Sequence, residues 1–389
     1  MIYLDNAATT QPLDIVIDKM MEVMKEDYGN PSSYHKMGLD AENHIKEASN
    51  FFARQLQCSP EEIVYTSGGT ESNNMAIIGT ALAYKRSGMR IITSKIEHDS
   101  VSQAFRFLEE EGFEVIYLDV DTNGYIDKEE LSSSINDQTS LVSIMHVNNE
   151  LGTIQNIEEI GRTIKNKNKN TFFHVDAIQS FAKVPINRRK SQIDLLSISG
   201  HKIYGPKGVG LLYKNKNLLT RPLIHGGGQQ RGYRSGTENV AGIVGMHIAA
   251  REIISDFDKY TNELYSLKEG LANGIINNIE DTYINGPKVK DGAPHILNIG
   301  FKDIKSEVLL HALESSNIYV SSGSACSTNR QAYSQSLKSI GRNKEELDEA
   351  IRFSLGINNK ESDIDQTILV LEKTVPMLRK VLRPGGKRR

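Results

Sequence analysis

Two short apolar runs that each end near a reactive side chain constrain this chain more than any other feature. The first runs from Thr171 to Val175 and leads into Asp176, and the second runs from Ile193 to Ile198 and leads to Lys202. Runs of this length, rich in β-branched, aromatic and leucine residues, predict buried strands. Ligands collect at the carboxyl ends of strands in open α/β sheets. The pattern therefore predicts such a sheet with a polar site at one edge.

A carboxylate and a lysine at neighbouring strand ends suit pyridoxal 5'-phosphate (PLP). The lysine can hold this cofactor as a Schiff base, while the aspartate keeps the pyridine nitrogen protonated, so that the ring withdraws electrons. Each residue alone has a plainer interpretation, with Asp176 as a helix cap and Lys202 on a solvated loop. The cofactor interpretation therefore depends on further partners.

A third segment predicts a binding site for the phosphate of such a cofactor. Residues 63–66 (IVYT) form an apolar strand pattern, and residues 67–72 (SGGTES) follow as a glycine-containing turn. Apolar side chains then recur at helical spacing at Met75, Ile78 and Leu82. Backbone N–H groups at the start of a helix face an anion favourably. Glycine before a helix is also common as simple turn geometry, so this signal is weak by itself.

Seven motifs, spread over most of the chain, occur in a fixed order. They are residues 3–10 (YLDNAATT), 66–72 (TSGGTES), 146–150 (HVNNE), 174–177 (HVDA), 199–208 (SGHKIYGPKG), 234–239 (RSGTEN) and 321–326 (SSGSAC). In content and order they resemble the cysteine desulfurases of the NifS and IscS type, which are PLP enzymes of aminotransferase class V.

The resemblance implies a fold and a domain organisation. The fold class is α/β, namely fold type I of the PLP-dependent transferases, with a mostly parallel sheet of the seven-stranded type in a large domain and a smaller α+β domain. On this pattern residues 15–255 form the large PLP-binding domain. Residues 1–14 and 256–389 form the small domain, which carries a mobile catalytic cysteine loop at about 321–335. Alternating strand and helix patterns between residues 15 and 255 favour a parallel sheet.

The resemblance also implies which residues hold the cofactor. Lys202 forms the Schiff base and later moves protons, and Asp176 pairs with the pyridine nitrogen. Thr237 contacts the phosphate of the neighbouring subunit, which implies a homodimer. The remaining contacts are Gly69, Thr70, Ser199 and His201 at the phosphate, Gln179 at the ring oxygen, His98 stacked over the ring with a catalytic role, and Asn149 at the cofactor or the substrate carboxylate.

Cys326 and Arg352 correspond to the residues that act on the substrate in that family. Arg352 binds the substrate carboxylate, a task that suits a planar fork of donors; from the sequence alone it can equally be a strand arginine paired with a structural acid. Cys326 lies among small residues, and its thiolate takes the sulfur of L-cysteine as a persulfide while L-alanine is released. Cys58, the other cysteine of the chain, fills space.

Two other classes of function stay open at this point. One is another class V PLP enzyme, such as a selenocysteine lyase or a cysteine sulfinate desulfinase, which does not need Cys326 to carry sulfur. The other is a sulfur-relay subunit without turnover, which the presence of Lys202, Asp176 and Cys326 disfavours.

Composition narrows the location and the partners. A net charge of −3 gives no strong attraction to nucleic acid or membranes, and no apolar run is long enough to span a bilayer. The two cysteines lie in unlike sequence settings, which argues against a disulfide framework and is consistent with a reducing cytoplasm. The ten histidines form no cluster with zinc spacing, so no metal is expected. The sulfur acceptor is expected to be a tRNA-thiolation enzyme or an iron–sulfur scaffold, with scaffold docking less favoured because the chain ends at Arg389.

Overall fold

The computed structural model describes residues 1–322 and 333–382. Its strands, in chain order, are β1 (Ile2–Tyr3), β2 (Ile63–Thr66), β3 (Arg90–Ser94), β4 (Glu114–Leu118), β5 (Thr139–Met145), β6 (Phe172–Asp176), β7 (Leu195–Ser199), β8 (Gly210–Lys214), β9 (Thr282–Asn285), β10 (Ile296–Phe301), β11 (Ile318–Tyr319), β12 (Ser321–Ser322) and β13 (Ala350–Ser354).

The helices surround these strands. They are α1 (Asp14–Glu26), α2 (Lys36–Leu56), α3 (Gly69–Asn74), α4 (Thr80–Ala83), α5 (Asp99–Glu110), α6 (Lys128–Ser134), α7 (Ile157–Lys167), α8 (Val240–Ser255), α9 (Phe257–Asn278), α10 (Ser306–Glu314), α11 (Gln335–Ser339), α12 (Lys344–Leu347) and α13 (Glu361–Leu382).

The main sheet has seven strands in the order β2-β8-β7-β6-β5-β3-β4. Strands β4, β3, β5, β6 and β7 run parallel, whereas β8 is antiparallel to both β7 and β2. The predicted mostly parallel sheet is therefore confirmed. All residues of β5 and β7 are buried, as expected when helices cover both faces of a parallel sheet. Strands β6 and β7 pair directly, which brings their carboxyl ends together.

A smaller antiparallel sheet has the order β12-β13-β10-β9. The N-terminal segment joins this part of the chain, because β1 pairs with β11 and Asp5 forms an isolated bridge with Ser354. The backbone therefore places the first residues of the chain beside β13. The division into residues 15–255 against 1–14 and 256–389 stays a prediction.

The helix that follows β2 differs from the simple helix that its apolar spacing predicts. A π-helical turn, Met75–Gly79, separates α3 from α4. The carbonyl of Gly79 accepts a hydrogen bond from the backbone N–H of Arg221, and a Cβ on Gly79 would lie 2.5 Å from Thr220 Cγ2. Thr220 and Arg221 therefore pack closely against the end of the π-helical turn.

The helices formed by residues 1–322 and 333–382 do not combine the length and hydropathy that a membrane span requires.

Candidate active site

Most of the side chains singled out from the sequence meet in one cavity of about 400 Å³ at the carboxyl ends of β6 and β7. These segments are far apart in the chain and meet because parallel strands end at one edge of the sheet. The predicted residues that line the cavity are Gly69, Thr70, His98, Asn149, Asp176, Gln179, Ser199, His201, Lys202 and Arg352.

Asp176 is the last residue of β6 and is almost fully buried. Its Oδ1 accepts a hydrogen bond from the backbone N–H of Ile178 at 2.9 Å, and its Oδ2 accepts one from Asn73 Nδ2 at 2.8 Å. Burial raises the pKa of Asp176, and these two hydrogen bonds counteract part of that rise. A fixed and fully buried carboxyl group of this kind suits a cationic ring nitrogen.

Lys202 lies in a short 3-10 turn, Gly200–Lys202, directly after β7. Its Nζ donates to the backbone carbonyls of Ala7 and Ala8, at 2.7 and 2.6 Å. Both carbonyls belong to the N-terminal motif, and both residues line the cavity. The N-terminal segment therefore provides a docking position for the amine within the cavity.

The end of the cavity formed by Gly69 and Ser199 has the features of an anion site. The helix α3 begins at Gly69, so its first backbone N–H groups have no partner within the helix. A Cβ on Gly69 would lie 2.2 Å from Ile178 Cδ1, so a larger residue here would have to displace the Ile178 side chain. The buried Oγ of Ser199 has no hydrogen-bond partner among the described residues. Unpaired donors around a small space favour an anionic ligand.

His201 lies beside this anion site with a defined hydrogen-bond partner. Its Nδ1 is 3.2 Å from Thr9 Oγ1. Burial, together with the charge of the nearby Lys202, lowers the pKa of His201 to about 4. At neutral pH its imidazole is therefore uncharged and has one N–H to donate.

Gln179 and His98 are each held in a defined orientation. Gln179 Nε2 donates to the carbonyl of Ala7 at 2.9 Å, and its Oε1 lies 3.3 Å from His295 Nε2. His98 is the N-cap of α5, and its Nδ1 accepts a hydrogen bond from the backbone N–H of Ser100. Both side chains thus reach the cavity from anchored positions.

Arg352 is paired with an acid, as one of its two interpretations predicted, and also lines the cavity. Its Nη2 donates to Asp5 Oδ1 at 2.7 Å and its Nη1 to the carbonyl of Asn149 at 3.0 Å. Its Nε has no hydrogen-bond partner among the described residues. The guanidinium group, which lines the cavity, is therefore oriented from two sides.

The sequence did not reveal Glu97, a fully buried acid beside the cavity. Its Oε1 accepts hydrogen bonds from Ser94 Oγ at 2.6 Å and from the backbone N–H of Met145 at 3.0 Å. Burial raises the pKa of Glu97 to about 8, and the charge of Asp176 adds to the rise. Glu97 is therefore protonated at neutral pH. The one feature of the sequence that could have indicated Glu97 as a site residue is its position directly before His98. A single glutamate between a strand and a helix is too common to predict such a role.

Two predicted site residues, Thr237 and Cys326, are not among the described residues that line this cavity. Thr237 lines a separate cavity of about 140 Å³ together with Gln230 and Arg234. Cys326 lies outside the described residues, as does most of the predicted loop at about 321–335. The described residues Ser321 and Ser322 lead toward the cavity from one side, and Ser321 lines it.

His174, which precedes Asp176 on β6 by two residues, holds three strands together. Its Nδ1 lies 2.8 Å from Ser143 Oγ on β5, and its Nε2 lies 2.9 Å from Ser197 Oγ on β7. Burial lowers the pKa of His174 to about 3. Below pH ~6.5 the unfolded chain therefore binds one proton more than the folded chain, and the free energy of unfolding falls as the pH decreases toward about 3.

Replacing His174 with glutamine is expected to weaken this pH dependence. Glutamine keeps polar contacts to the two serines but does not titrate, so the free energy of unfolding should change by about 1.4 kcal/mol less per pH unit between about pH 6 and about pH 4. Urea unfolding at several pH values measures the slope. The exposed His225, replaced in the same way, is the control and should leave the slope unchanged. An unchanged slope in His174→Gln would contradict the assignment.

The donors and acceptors of the cavity fit PLP. A buried carboxyl group, a lysine amine and an anion site with unpaired donors lie around one space, and a ring that carries a phosphate and a pyridine nitrogen needs these three groups. The described residues contain no group of three or more His, Cys, Asp or Glu side chains arranged to hold a metal ion.

Comparison with known proteins gives consistent similarities along nearly the whole chain. The family model for aminotransferase class V matches residues 2–367. The chain is 42% identical to a protein named cysteine desulfurase IscS from Dictyoglomus turgidum, over 98% of this chain and 96% of that protein. It is 45% identical to a protein of the same name from Pectobacterium carotovorum, over 97% and 93%.

Solved structures show the same similarity in three dimensions. A structure described as a NifS-like protein superposes with a TM-score of 0.91 at 38% identity, covering 97% of this chain and 100% of the other. A NifS-like protein from Rickettsia africae superposes with a TM-score of 0.86 at 31% identity, covering 96% and 99%.

Proposed function

This chain belongs to the aminotransferase class V family, and from this premise we propose how the residues of its cavity act. The protein is a cysteine desulfurase that uses PLP. One observation carries the assignment of roles: Asp176, Lys202 and Arg352 line a single cavity although they come from three distant segments. The cavity thus combines three groups. A carboxyl group can pair with the cofactor ring, an amine can accept the substrate proton, and a guanidinium group can bind the substrate carboxylate.

Asp176 and the anion site hold the cofactor. When bound, PLP supplies an electron-withdrawing ring that makes the Cα proton of an attached amino acid acidic. Asp176 receives the ring nitrogen, and Gln179 directs its second N–H at the ring oxygen. Ser199 Oγ, His201 and the backbone at Gly69 and Thr70 bind the phosphate; the unpaired state of Ser199 Oγ supports this assignment.

Arg352 orients the substrate, and Lys202 moves its proton. The guanidinium group of Arg352, oriented by its contacts to Asp5 and Asn149, binds the carboxylate of L-cysteine. Lys202 Nζ then takes the proton from the substrate Cα. The carbonyls of Ala7 and Ala8 support this role, because they stabilise the ammonium form that results.

Cys326 carries the sulfur. The Cys326 thiolate attacks the sulfur of the substrate, an S–S bond forms and the C–S bond breaks. The electron pair of the broken bond stays with the carbon, which takes up protons, so that L-alanine leaves and a persulfide remains on Cys326. No external oxidant or reductant is needed, since the substrate carbon is reduced as the sulfur is oxidised.

We further infer that two copies of the chain form the active protein. Thr237 lies in a cavity apart from Lys202, although its motif resembles a phosphate-binding one. The helix α1 exposes Ile17, Met21 and Met24 on one face, since they are spaced four and three residues apart, and Tyr34 is fully exposed. Contiguous exposed apolar side chains favour a protein interface. A second copy seated on this surface brings its Thr237 to the phosphate site of the first.

Mixed dimers test the contribution of Thr237. Thr237→Val is expected to weaken PLP binding by roughly fivefold, because one hydrogen bond is lost. A dimer of one Thr237→Val subunit and one Lys202→Ala subunit should keep one site of normal PLP affinity and activity if Thr237 acts across the interface. If Thr237 acts within its own subunit, neither site of the mixed dimer is intact. Light scattering reports whether dimers form at all.

The sulfur on Cys326 is delivered to a protein acceptor, which we propose is an iron–sulfur scaffold or a tRNA-thiolation enzyme in the cytoplasm. The names of the relatives support the first of these acceptors. A thiol-containing acceptor incubated with the loaded protein should gain one sulfur atom as Cys326 loses it.

The function is tested with L-cysteine and the PLP-loaded protein. The expected products are L-alanine and one extra sulfur on the peptide that contains Cys326, measured by mass spectrometry. Cys326→Ala should lose both, whereas Cys58→Ala, the matched control, should lose neither, because Cys58 is half-buried with a pKa raised to about 12 by burial. Full L-alanine formation by Cys326→Ala would instead favour a class V lyase that needs no cysteine.

A further inference from the structure

Two buried side chains outside the predicted site set, Asn73 and Ser100, connect His98 to Asp176. Asn73 Nδ2 lies 2.8 Å from Asp176 Oδ2 and 2.8 Å from Ser100 Oγ. Ser100 Oγ lies 2.8 Å from His98 Nδ1. Three consecutive short contacts therefore join the imidazole to the carboxyl group at the base of the cavity.

We call this chain of contacts, from Asp176 through Asn73 and Ser100 to His98, the bridge. The direction of each of its hydrogen bonds follows from the groups that Asp176 and Asn73 present. Both oxygens of Asp176 accept, since they face the N–H groups of Ile178 and Asn73. The amide nitrogen of Asn73 donates one proton to Asp176 and the other to Ser100 Oγ. The oxygen of Ser100 is then an acceptor, which directs its own proton toward His98 Nδ1.

The backbone supports the same direction at His98. The N–H of Ser100 points at His98 Nδ1 at 3.1 Å, because His98 is the N-cap of α5. An N–H can only donate, so Nδ1 carries no proton and the ring proton is on Nε2. His98 lines the cavity and therefore offers a hydrogen-bond donor to a bound ligand rather than a lone pair.

The bridge is shielded from water. Asn73 is fully buried, and Ser100 and Asp176 are almost fully buried. Hydrogen bonds in such surroundings are stronger than in water and polarise one another along a chain. Glu97 and Lys202 are the other titratable groups that interact electrostatically with Asp176, and the hydrogen-bond partners of Glu97 are Ser94 and Met145 rather than Asn73 or Ser100.

We propose that Asn73 and Ser100 are positioning residues that fix the His98 imidazole with its proton on Nε2 and connect it to Asp176. The proposal rests on the proposed function, through the role assigned to Asp176 and the stacking role that the resemblance implies for His98. A change at Asn73 must then alter His98, although the two side chains are joined only through Ser100.

Nitrogen NMR of the PLP-loaded protein labelled with ¹⁵N-histidine tests the proposal. The chemical shifts of Nδ1 and Nε2 report the tautomer, and His98→Gln assigns the signal. The wild type should show His98 with the proton on Nε2. In Ser100→Ala the hydroxyl bond to His98 Nδ1 is lost, but the bond from the backbone N–H remains. We therefore expect the ratio of the Nε2–H tautomer to the Nδ1–H tautomer to fall only roughly fivefold, the effect of one lost hydrogen bond. Asn73→Ala should shift the ratio in the same direction.

Matched variants separate positioning from folding. Ser100→Thr keeps the hydroxyl and should restore the wild-type shifts. Ser102→Ala, on the same helix and outside the bridge, should leave them unchanged. As a second measurement, Asn73→Ala should bind PLP about tenfold more weakly, since Asp176 loses a charge-assisted hydrogen bond.

Unchanged His98 shifts in Asn73→Ala would overturn the proposal, as would an equal mixture of tautomers in the wild type. The shifts are read without turnover, so a failure to desulfurate L-cysteine would overturn the proposed function and leave this result intact. Thermal unfolding of each variant identifies any that fail to fold. If Asn73→Ala fails to fold, the tautomer ratio in Ser100→Ala decides the outcome, and if Ser100→Ala fails to fold, Asn73→Ala decides it.

Discussion

Lys202→Ala is expected to reduce L-alanine formation from L-cysteine by at least about 10³-fold, because general base catalysis contributes factors of this size. The variant should keep the cavity, since the hydrogen bonds described for Lys202 Nζ are to backbone carbonyls, those of Ala7 and Ala8. PLP should still bind through the anion site and Asp176. Absorption spectroscopy and an L-alanine assay together measure binding and turnover.

The neighbouring Lys183 provides a matched control for Lys202. It is also buried, and burial, with a contribution from the charge of Lys202, lowers its pKa to about 7. It lies outside the residues that line the cavity. Lys183→Met should therefore keep activity within a few-fold of the wild type. Partial recovery of Lys202→Ala with a small primary amine would support the role in proton transfer, whereas activity within tenfold of the wild type would contradict it.

Arg352→Leu is expected to lower kcat/KM for L-cysteine by about 10²-fold, mainly through KM. Removing one partner of a buried charged pair costs about 3 kcal/mol, which corresponds to that factor. Arg352→Lys keeps the charge but loses the planar fork, so it should recover only part of the affinity. Steady-state kinetics over a range of L-cysteine concentrations measures both variants.

Asp5→Asn separates the two interpretations of Arg352. If Arg352 serves the substrate, Asp5 competes for its Nη2 donor, and loss of the Asp5 charge should leave KM unchanged or lower it by a few-fold. If Arg352 instead serves only to neutralise Asp5, the two substitutions should impair the protein alike. A similar loss of thermal stability in both variants, with KM unchanged in each, would show the structural role.

Much of the site was predictable because local patterns were sufficient. The strands that carry Asp176 and lead to Lys202 differ by one or two residues from the predicted runs, and both end at the cavity. Parallel strands with buried faces have a strong compositional signal, and a motif at a strand end is placed at the sheet edge by the topology itself.

Other parts of the site had no local signal. Asn73, near the end of α3, and Ser100, in the first turn of α5, are ordinary polar helix residues, and their alignment with His98 depends on how α3 and α5 pack. The buried Glu97 has its raised pKa only because the surrounding chain excludes water. Such features depend on desolvation and on contacts between distant segments, which no spacing pattern encodes.

The sequence by itself determined the α/β architecture, the cofactor and the residues that meet at the cavity, since these depend on strand composition and on motifs a few residues long. Only the tertiary structure decided which groups touch. It paired Arg352 with Asp5 across almost the whole chain, connected His98 to Asp176 through a buried bridge, and placed Thr237 apart from Lys202. The physical reason is that hydrogen-bond geometry and burial are set by the packing of segments distant in sequence, whereas strand and helix patterns are set by neighbours along the chain.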